Sequence, residues 1–297
     1  MRTPFALSLA MMLGLTSYTA TAQDAPAEGE IVVPGETARA PEDVRSLVQR
    51  LAEDARPDVP ATRFFDALCL SVSGLNSAGN DYLHDRIVRN AADIGLPAQG
   101  EGCRVNAMVL IFHDVAGLVE RIKDEQPMLL PREERVAVDA AVARGDEFIV
   151  WHNEEDRNMG GRRLAYGRAV PGDDNVGGSF NVDARININN WPSRAELAFS
   201  RGVVSAAIIF DSEIIEGMEI DRLADYATMR LLAPDLIPLD GEFPEPASIT
   251  APFPAEGGPE RLTRFDRAYL TALYALRPNA PAVRLARAVA EEYEGED

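Results

Sequence analysis

Apolar positions along this chain follow three rhythms, and each predicts a different kind of element. The densest is a run of β-branched and small residues, Val203 to Phe210, between Gly202 and Asp211. Short runs of β-branched and small apolar residues predict a buried strand. Past Gly217 the rhythm changes: Ile220, Leu223, Ala224, Ala227 and Leu231 fall at helical spacing until Pro234. That spacing predicts a helix with one core face. The third rhythm, simple alternation, occupies Phe180 to Ile188 and predicts a half-exposed strand.

The same reading organises the rest of the chain. Pro41, at a helix start, is followed by Val44, Leu47, Val48, Leu51 and Ala55, with Pro57 as the stop. Ala67 to Ser73 predicts a strand, Leu83, Ile87, Ala91 and Ile94 a helix closed by Gly95, and Val105 to Phe112 a second strand. This is a strand-helix-strand unit. Asp114 caps a helix that turns Val115, Leu118, Val119 and Ile122 inward, and another helix spans about Arg132 to Ala143 before Gly145.

Beyond Gly145 the chain reads as β-rich. Phe148 to Trp151 and Leu164 to Tyr166 form the arms of a hairpin around the polar segment Glu154 to Gly161, Pro171 to Gly178 is loop, and Ala195 to Phe199 turns through Ser200-Arg201-Gly202 into the Val203 strand. After the Ile220 helix, Asp235 to Arg261 carries six prolines and no period. Thr263 and Asp266 make a capping box for a helix with Phe265, Ala268, Tyr269, Ala272, Leu273 and Leu276 on its core face, and a last helix spans Pro281 to Tyr293. The expected class is α+β (mixed α/β). Its parts are an α/β half over 42–145 and a second half over 146–297, which one continuous domain would equally accommodate.

The N-terminal residues place the chain in a compartment. Arg2, the apolar run Phe5 to Leu15 and Ala20-Thr21-Ala22 predict a secretory signal peptide over 1–22, and hence a periplasmic or secreted protein. Residues 23–41, rich in Ala, Pro, Glu and Gly, predict a disordered linker. No stretch approaches the ~20 apolar residues of a membrane span, so no membrane insertion is expected after signal removal. Loss of Arg2 with the signal takes the net charge from −19 to −20. So acidic a chain repels phosphate backbones and anionic headgroups, which excludes nucleic acid and membrane surfaces as partners.

Two cysteines, Cys69 and Cys103, in an exported chain predict a disulfide. Parallel pairing of the Ala67 and Val105 strands would bring both to the entry ends of neighbouring strands.

Candidate chemistry is sparse. There is no Gly-x-Ser-x-Gly elbow, and Gly160-Gly161 and Gly177-Gly178 do not sit between a strand and a helix as a phosphate loop requires. Of the three histidines, His84 reads as a helix-surface residue and His113 as a strand-end residue beside a cap. His152 is followed by Glu154, Glu155 and Asp156, so His152, Glu154 and Glu155 form a candidate metal set, against the alternative of a solvated hairpin tip. On the Ile220 helix, Asp221 and Asp225 share one flank while Arg222, Tyr226 and Arg230 share another. Tyr226 and Arg230 suit a partly desolvated carboxylate site. The carboxylate belongs either to a ligand or to the protein's own Asp266 or Glu242. Asp221 and Asp225 either join that site or form an ion-pair network with neighbouring arginines.

The order strand Val203–Phe210, helix Ile220–Ala233, long loop and the helix opened by Leu262-Thr263-Arg264-Phe265-Asp266-Arg267-Ala268-Tyr269-Leu270 resembles the catalytic half of zincin-type metallopeptidases over about a quarter of the chain. That family carries His-Glu-x-x-His on the central helix, whereas this helix has no histidine, so no catalytic residue is carried over. The Leu-Ala-Asp-Tyr-Ala-Thr-Met-Arg stretch, Leu223 to Arg230, is similar to uncharacterised exported bacterial proteins built on a domain of unknown function. The resemblance to exported proteins implies a bacterial envelope setting and no known activity. The missing zinc motif makes the expected function a non-catalytic one, binding a protein or small-molecule ligand or playing a structural part. The alternative is a metal-dependent, peptidase-like hydrolase with a non-standard site. No particular cofactor is implied.

Overall fold

The computed structural model describes residues 41–297 apart from 53–55, 101, 165–195, 237–243, 251–252, 254–256 and 296–297. The signal peptide, the linker up to residue 40, the Pro171–Gly178 loop and the Phe180–Ile188 strand lie outside the described residues.

The elements run α1 (Pro41–Leu51), β1 (Arg63–Phe64), β2 (Leu70–Ser73), α2 (Ser77–Asp93), β3 (Ala107–Phe112), α3 (Val115–Glu125), α4 (Arg132–Arg144), β4 (Phe148–Arg157), β5 (Ser200–Asp211), α5 (Ile220–Leu232), α6 (Arg264–Ala275) and α7 (Leu285–Gly295). All five strands belong to one sheet, to which both predicted halves contribute. The class is mixed α/β, as the alternation of periods predicts.

β5 pairs with three of the other four strands. Its residues 206–211 pair in parallel with β3, its start pairs in parallel with β1, and its opposite edge pairs antiparallel with β4. β3 pairs in parallel with β2 on its far side. Helices cover both faces. Val109, Ile111, Ile208 and Phe210 pack with α1, α2, α5, α6 and α7, whereas Ile149, Trp151, Ala207 and Ile209 pack with Val119, Ile122, Leu130 and Val138 of the α3–α4 layer. Burial on two faces is why β5 reads as a near-continuous apolar run, interrupted only at Ser205, instead of an alternating one. Fully burying Ile208, Ile209 and Phe210 contributes about 1.5 to 3 kcal/mol each.

The strand-helix-strand prediction holds in detail. Leu70 pairs with Ala107 in parallel, Leu83, Ile87 and Ala91 are buried, and Gly95 takes the left-handed φ of 80° that ends the α2 segment. Cys69 and Cys103 are joined with their Cα atoms 6.0 Å apart. Closing that loop stabilises the fold by about 3 to 4 kcal/mol in the chain-entropy account. Nearby, the Asn106 side chain accepts from the Cys69 N–H and donates to the Ala67 carbonyl, tying the two strand entries together. No helix of the described residues is long and apolar enough to cross a membrane. That feature and the disulfide are compatible with export.

Three local expectations are corrected. Glu154 to Arg157 is not a hairpin tip, because β4 continues through it, paired with Ser200 to Val203. The tight turn follows at Asn158 to Gly161, where the Asn158 side chain accepts from the Gly160 and Arg162 N–H groups. Ser200-Arg201-Gly202 is accordingly the start of β5 and not a turn. Gly202 is needed there because a Cβ would lie 2.5 Å from the Arg157 Nε and 2.9 Å from the Phe65 ring. The third correction concerns α5, which does not have a single core face. From Leu223 to Leu232 every residue is buried, so its flanks are interior too.

Candidate functional site

The flanks of α5 were the place to look for a ligand, and the fold fills them with its own groups. Asp225 is 1% exposed and accepts from the Arg86 Nε and Nη2, both at 2.7 Å, from the Asn90 Nδ2 at 2.8 Å and from the Leu262 N–H at 2.8 Å. Asp221 accepts from the Tyr82 hydroxyl and pairs with Arg86 at 3.2 Å and Arg261 at 2.8 Å. The Tyr82 hydrogen bond, followed by Arg86 and Arg261, holds the Asp221 carboxyl below the usual carboxylate range. The repulsion between two carboxylates four apart is thus relieved by Arg86 of α2, not by Arg222 or Arg230. This is the ion-pair network that the spacing also allowed.

The other flank is likewise internal. Tyr226 is fully buried and stacks on Phe253, with ring centroids 3.7 Å apart. Burial drives its phenol well above the ordinary tyrosine range. Arg230, 9% exposed, donates from Nη1 to the Leu236 carbonyl and lies 5.6 Å from the Phe148 ring centre. Burial lowers its guanidinium from the ordinary arginine value. Among the described residues no carboxylate pairs with it, and the expected Asp266 partner is committed elsewhere: it completes the Thr263 capping box and accepts from the Ser248 hydroxyl and the Ile249 N–H. Glu242 lies outside the described residues.

The metal set proposed on β4 does not converge. Side chains alternate along a strand, so His152 and Glu154 share one face and Glu155 takes the other. His152 Nε2 is 3.2 Å from the Leu231 carbonyl, to which it donates, and burial with the nearby Arg230 lowers the ring to about 4. Glu155 is bound by Arg157 at 2.9 Å and Arg163 at 3.0 Å. Glu154, whose side chain is 32% exposed, stands 3.8 Å from Arg201. Burial and the nearby Asp235 push it up to about 7. The bonds to Leu231, Arg157 and Arg163 direct these groups to separate protein partners.

A different set does meet. β3 ends at Phe112, which is in register with Asp211 at the end of β5, and the Ser212 N–H donates to the Phe112 carbonyl at 3.2 Å. The residue just past β3 is His113, and two past Asp211 is Glu213, whose N–H donates to the Asp211 Oδ1 at 2.9 Å. His113 Nδ1 is 3.5 Å from Glu213 Oε1. One ligand atom from each of His113, Asp211 and Glu213 lies within 4.8 Å of the other two. The three stand at the carboxyl ends of adjacent parallel strands, where open α/β sheets take their ligands. Among the described residues neither Asp211 nor Glu213 has a lysine or arginine partner, unlike Asp221, Asp225 and Glu155. Sequence reading passed over Asp211 and Glu213 because nothing local links them to a histidine about a hundred positions earlier. The usable signal was that each follows a strongly apolar strand.

Compared with known protein families, characterised proteins and solved structures, the chain matches none.

Proposed function

We propose that this is an exported bacterial envelope protein that binds a ligand at the carboxyl edge of β3 and β5, and that α5 is structural. The observation carrying this reading is the convergence there of His113, Asp211 and Glu213, exposed or half-buried and, among the described residues, without a lysine or arginine partner. A mapping experiment tests it. Amide correlation spectra of the isotopically labelled mature chain, titrated with a set of small cationic, zwitterionic and imidazole-bearing fragments, should shift at Phe112–Val115 and Asp211–Ile214. Shifts confined to α5 or to the α1–α7 side would overturn it.

The second reading is a metal-dependent hydrolase, in keeping with the zincin-type resemblance and favoured by the imidazole and carboxylate composition of the same edge. Peptidase assays on mixed substrates decide between binding and turnover. Chelator-sensitive cleavage that disappears in His113→Ala establishes the hydrolase, and no cleavage leaves the binding protein.

A further inference from the structure

Resting on the carboxyl-edge reading, we infer that the ligand taken there is a divalent transition-metal ion, held by His113, Asp211 and Glu213 with further coordination positions open. The spacing fits such an ion. Zinc-class ions bind nitrogen and oxygen at ~2.0 to 2.2 Å, which puts two ligands of a tetrahedral centre about 3.4 Å apart. His113 Nδ1 and Glu213 Oε1 already stand at 3.5 Å. Asp211 completes the triangle within 4.8 Å, so a small side-chain rotation closes the set. Two of the ligands hang on the ends of hydrogen-bonded strands, a firmer support than a loop gives.

Charge and donor type select the ion. The two carboxylates carry a formal charge of −2, which a divalent cation neutralises. Arg121, stacked 5.2 Å from the neighbouring Phe112 ring centre, makes no ion pair with either carboxylate. Three other carboxylate pairs are answered by arginine or lysine: Asp66 and Glu155 by Arg157 and Arg163, Asp221 and Asp225 by Arg86, Asp139 and Glu120 by Lys123. An imidazole in the set favours zinc, cobalt, nickel or copper over calcium and magnesium, which take oxygen throughout. Three protein ligands leave a position open for water or a substrate, whereas structural zinc sites close all four.

Cobalt(II) is the probe, because its visible absorption reports coordination directly. Mature protein purified without a histidine tag and stripped with chelator should bind one equivalent of cobalt and develop visible bands that zinc abolishes. His113→Ala should weaken cobalt binding about tenfold or more, as should the double variant Asp211→Asn with Glu213→Gln. His84→Ala, removing an exposed histidine beside Asp85, should leave it unchanged. All three positions are at the surface, and the disulfide-bonded fold should persist by circular dichroism. No cobalt bands, or binding unaltered by His113→Ala, would overturn the metal assignment. Fragment-induced shifts at the same edge would then still stand for the binding face, so the two failures are distinguishable.

Discussion

Set beside each other, α5 and the carboxyl edge of β3 and β5 invert what their sequences advertise. α5 displays two aspartates, two arginines and a tyrosine at helical spacing; Asp221 and Asp225 end on arginines of the same protein, Arg230 on a carbonyl, and the Tyr226 ring is stacked on Phe253. The edge displays one histidine and two carboxylates on segments 98 residues apart, and the polar contacts of their side chains among the described residues stay within these three residues. Polar density on a buried helix measures how many charges the fold had to answer. What remains unanswered at the end of a sheet measures what it holds in reserve.

The largest expected effect lies on the α5 side. Asp225→Ala strips the bidentate partner from Arg86, leaves the Leu262 N–H without an acceptor and reduces Asn90 to its Thr228 contact, so stability should fall by about 3 to 5 kcal/mol in urea unfolding. A loss under ~1 kcal/mol would break the comparison.

Arg230 sharpens it, since its charge is buried with a single carbonyl partner and no carboxylate among the described residues. Arg230→Met keeps the packing against Phe148 and removes the desolvated charge, and should change stability by less than about 1 kcal/mol. Arg230→Ala, which leaves a void, should cost roughly 2 kcal/mol or more. Equal losses from both would mean that the charge itself is needed.

Glu154 is an intermediate case, half answered by Arg201. Its folded value of about 7 lies above the ordinary glutamate value of 4.5, so the folded protein holds that proton more tightly than the unfolded chain. Its contribution is complete below pH 4.5 and is lost as pH rises through 7. Glu154→Gln should match the parent at pH 4.5 and exceed it at pH 8 by about 1 kcal/mol at most, the shift being discounted because a third of the side chain meets solvent. His152 works the opposite way: lowered to about 4, it contributes fully above its ordinary 6.5 and loses that contribution as pH falls through 4. Urea midpoints between pH 4 and 8 should therefore show the alkaline decline relieved in Glu154→Gln and the acid decline retained.

The smallest effect belongs to the edge. Glu213→Gln removes only exposed contacts and should shift stability by less than about 0.5 kcal/mol. A large loss would make Glu213 structural and erase the contrast with Asp225.

What was legible in the sequence was whatever local periodicity encodes. The β5 run, the α2 face and the capping box of α6 declare themselves because each repeats its burial over several adjacent residues. β1 stayed invisible, since Arg63–Phe64 is too short to show any period. The far end of β4 was read as a solvated tip because Glu154 to Arg157 carries only charged residues. Its strand character comes from pairing with β5 nearly fifty positions away. Spacing located the Asp221–Asp225 pair but not its neutralising partner, because Arg86 lies 139 positions before Asp225. The edge triad escaped for the same reason: only the register Phe112 to Asp211 brings its members together.

The position of β5 in the chain sets an order of assembly. Its three partners, β1, β3 and β4, all precede it, so as the chain emerges from its N-terminus each waits with an unmatched edge. β2 and β3 can pair across fewer than forty residues, but the other side of β3 and the inner side of β4 stay open until Ser200 to Asp211 arrives. Pairings so distant in sequence are slow to form, and open edges invite pairing with other chains. A fragment ending at Phe199 should therefore self-associate where the full chain does not, with β5 serving as the piece that closes the growing sheet against its neighbours.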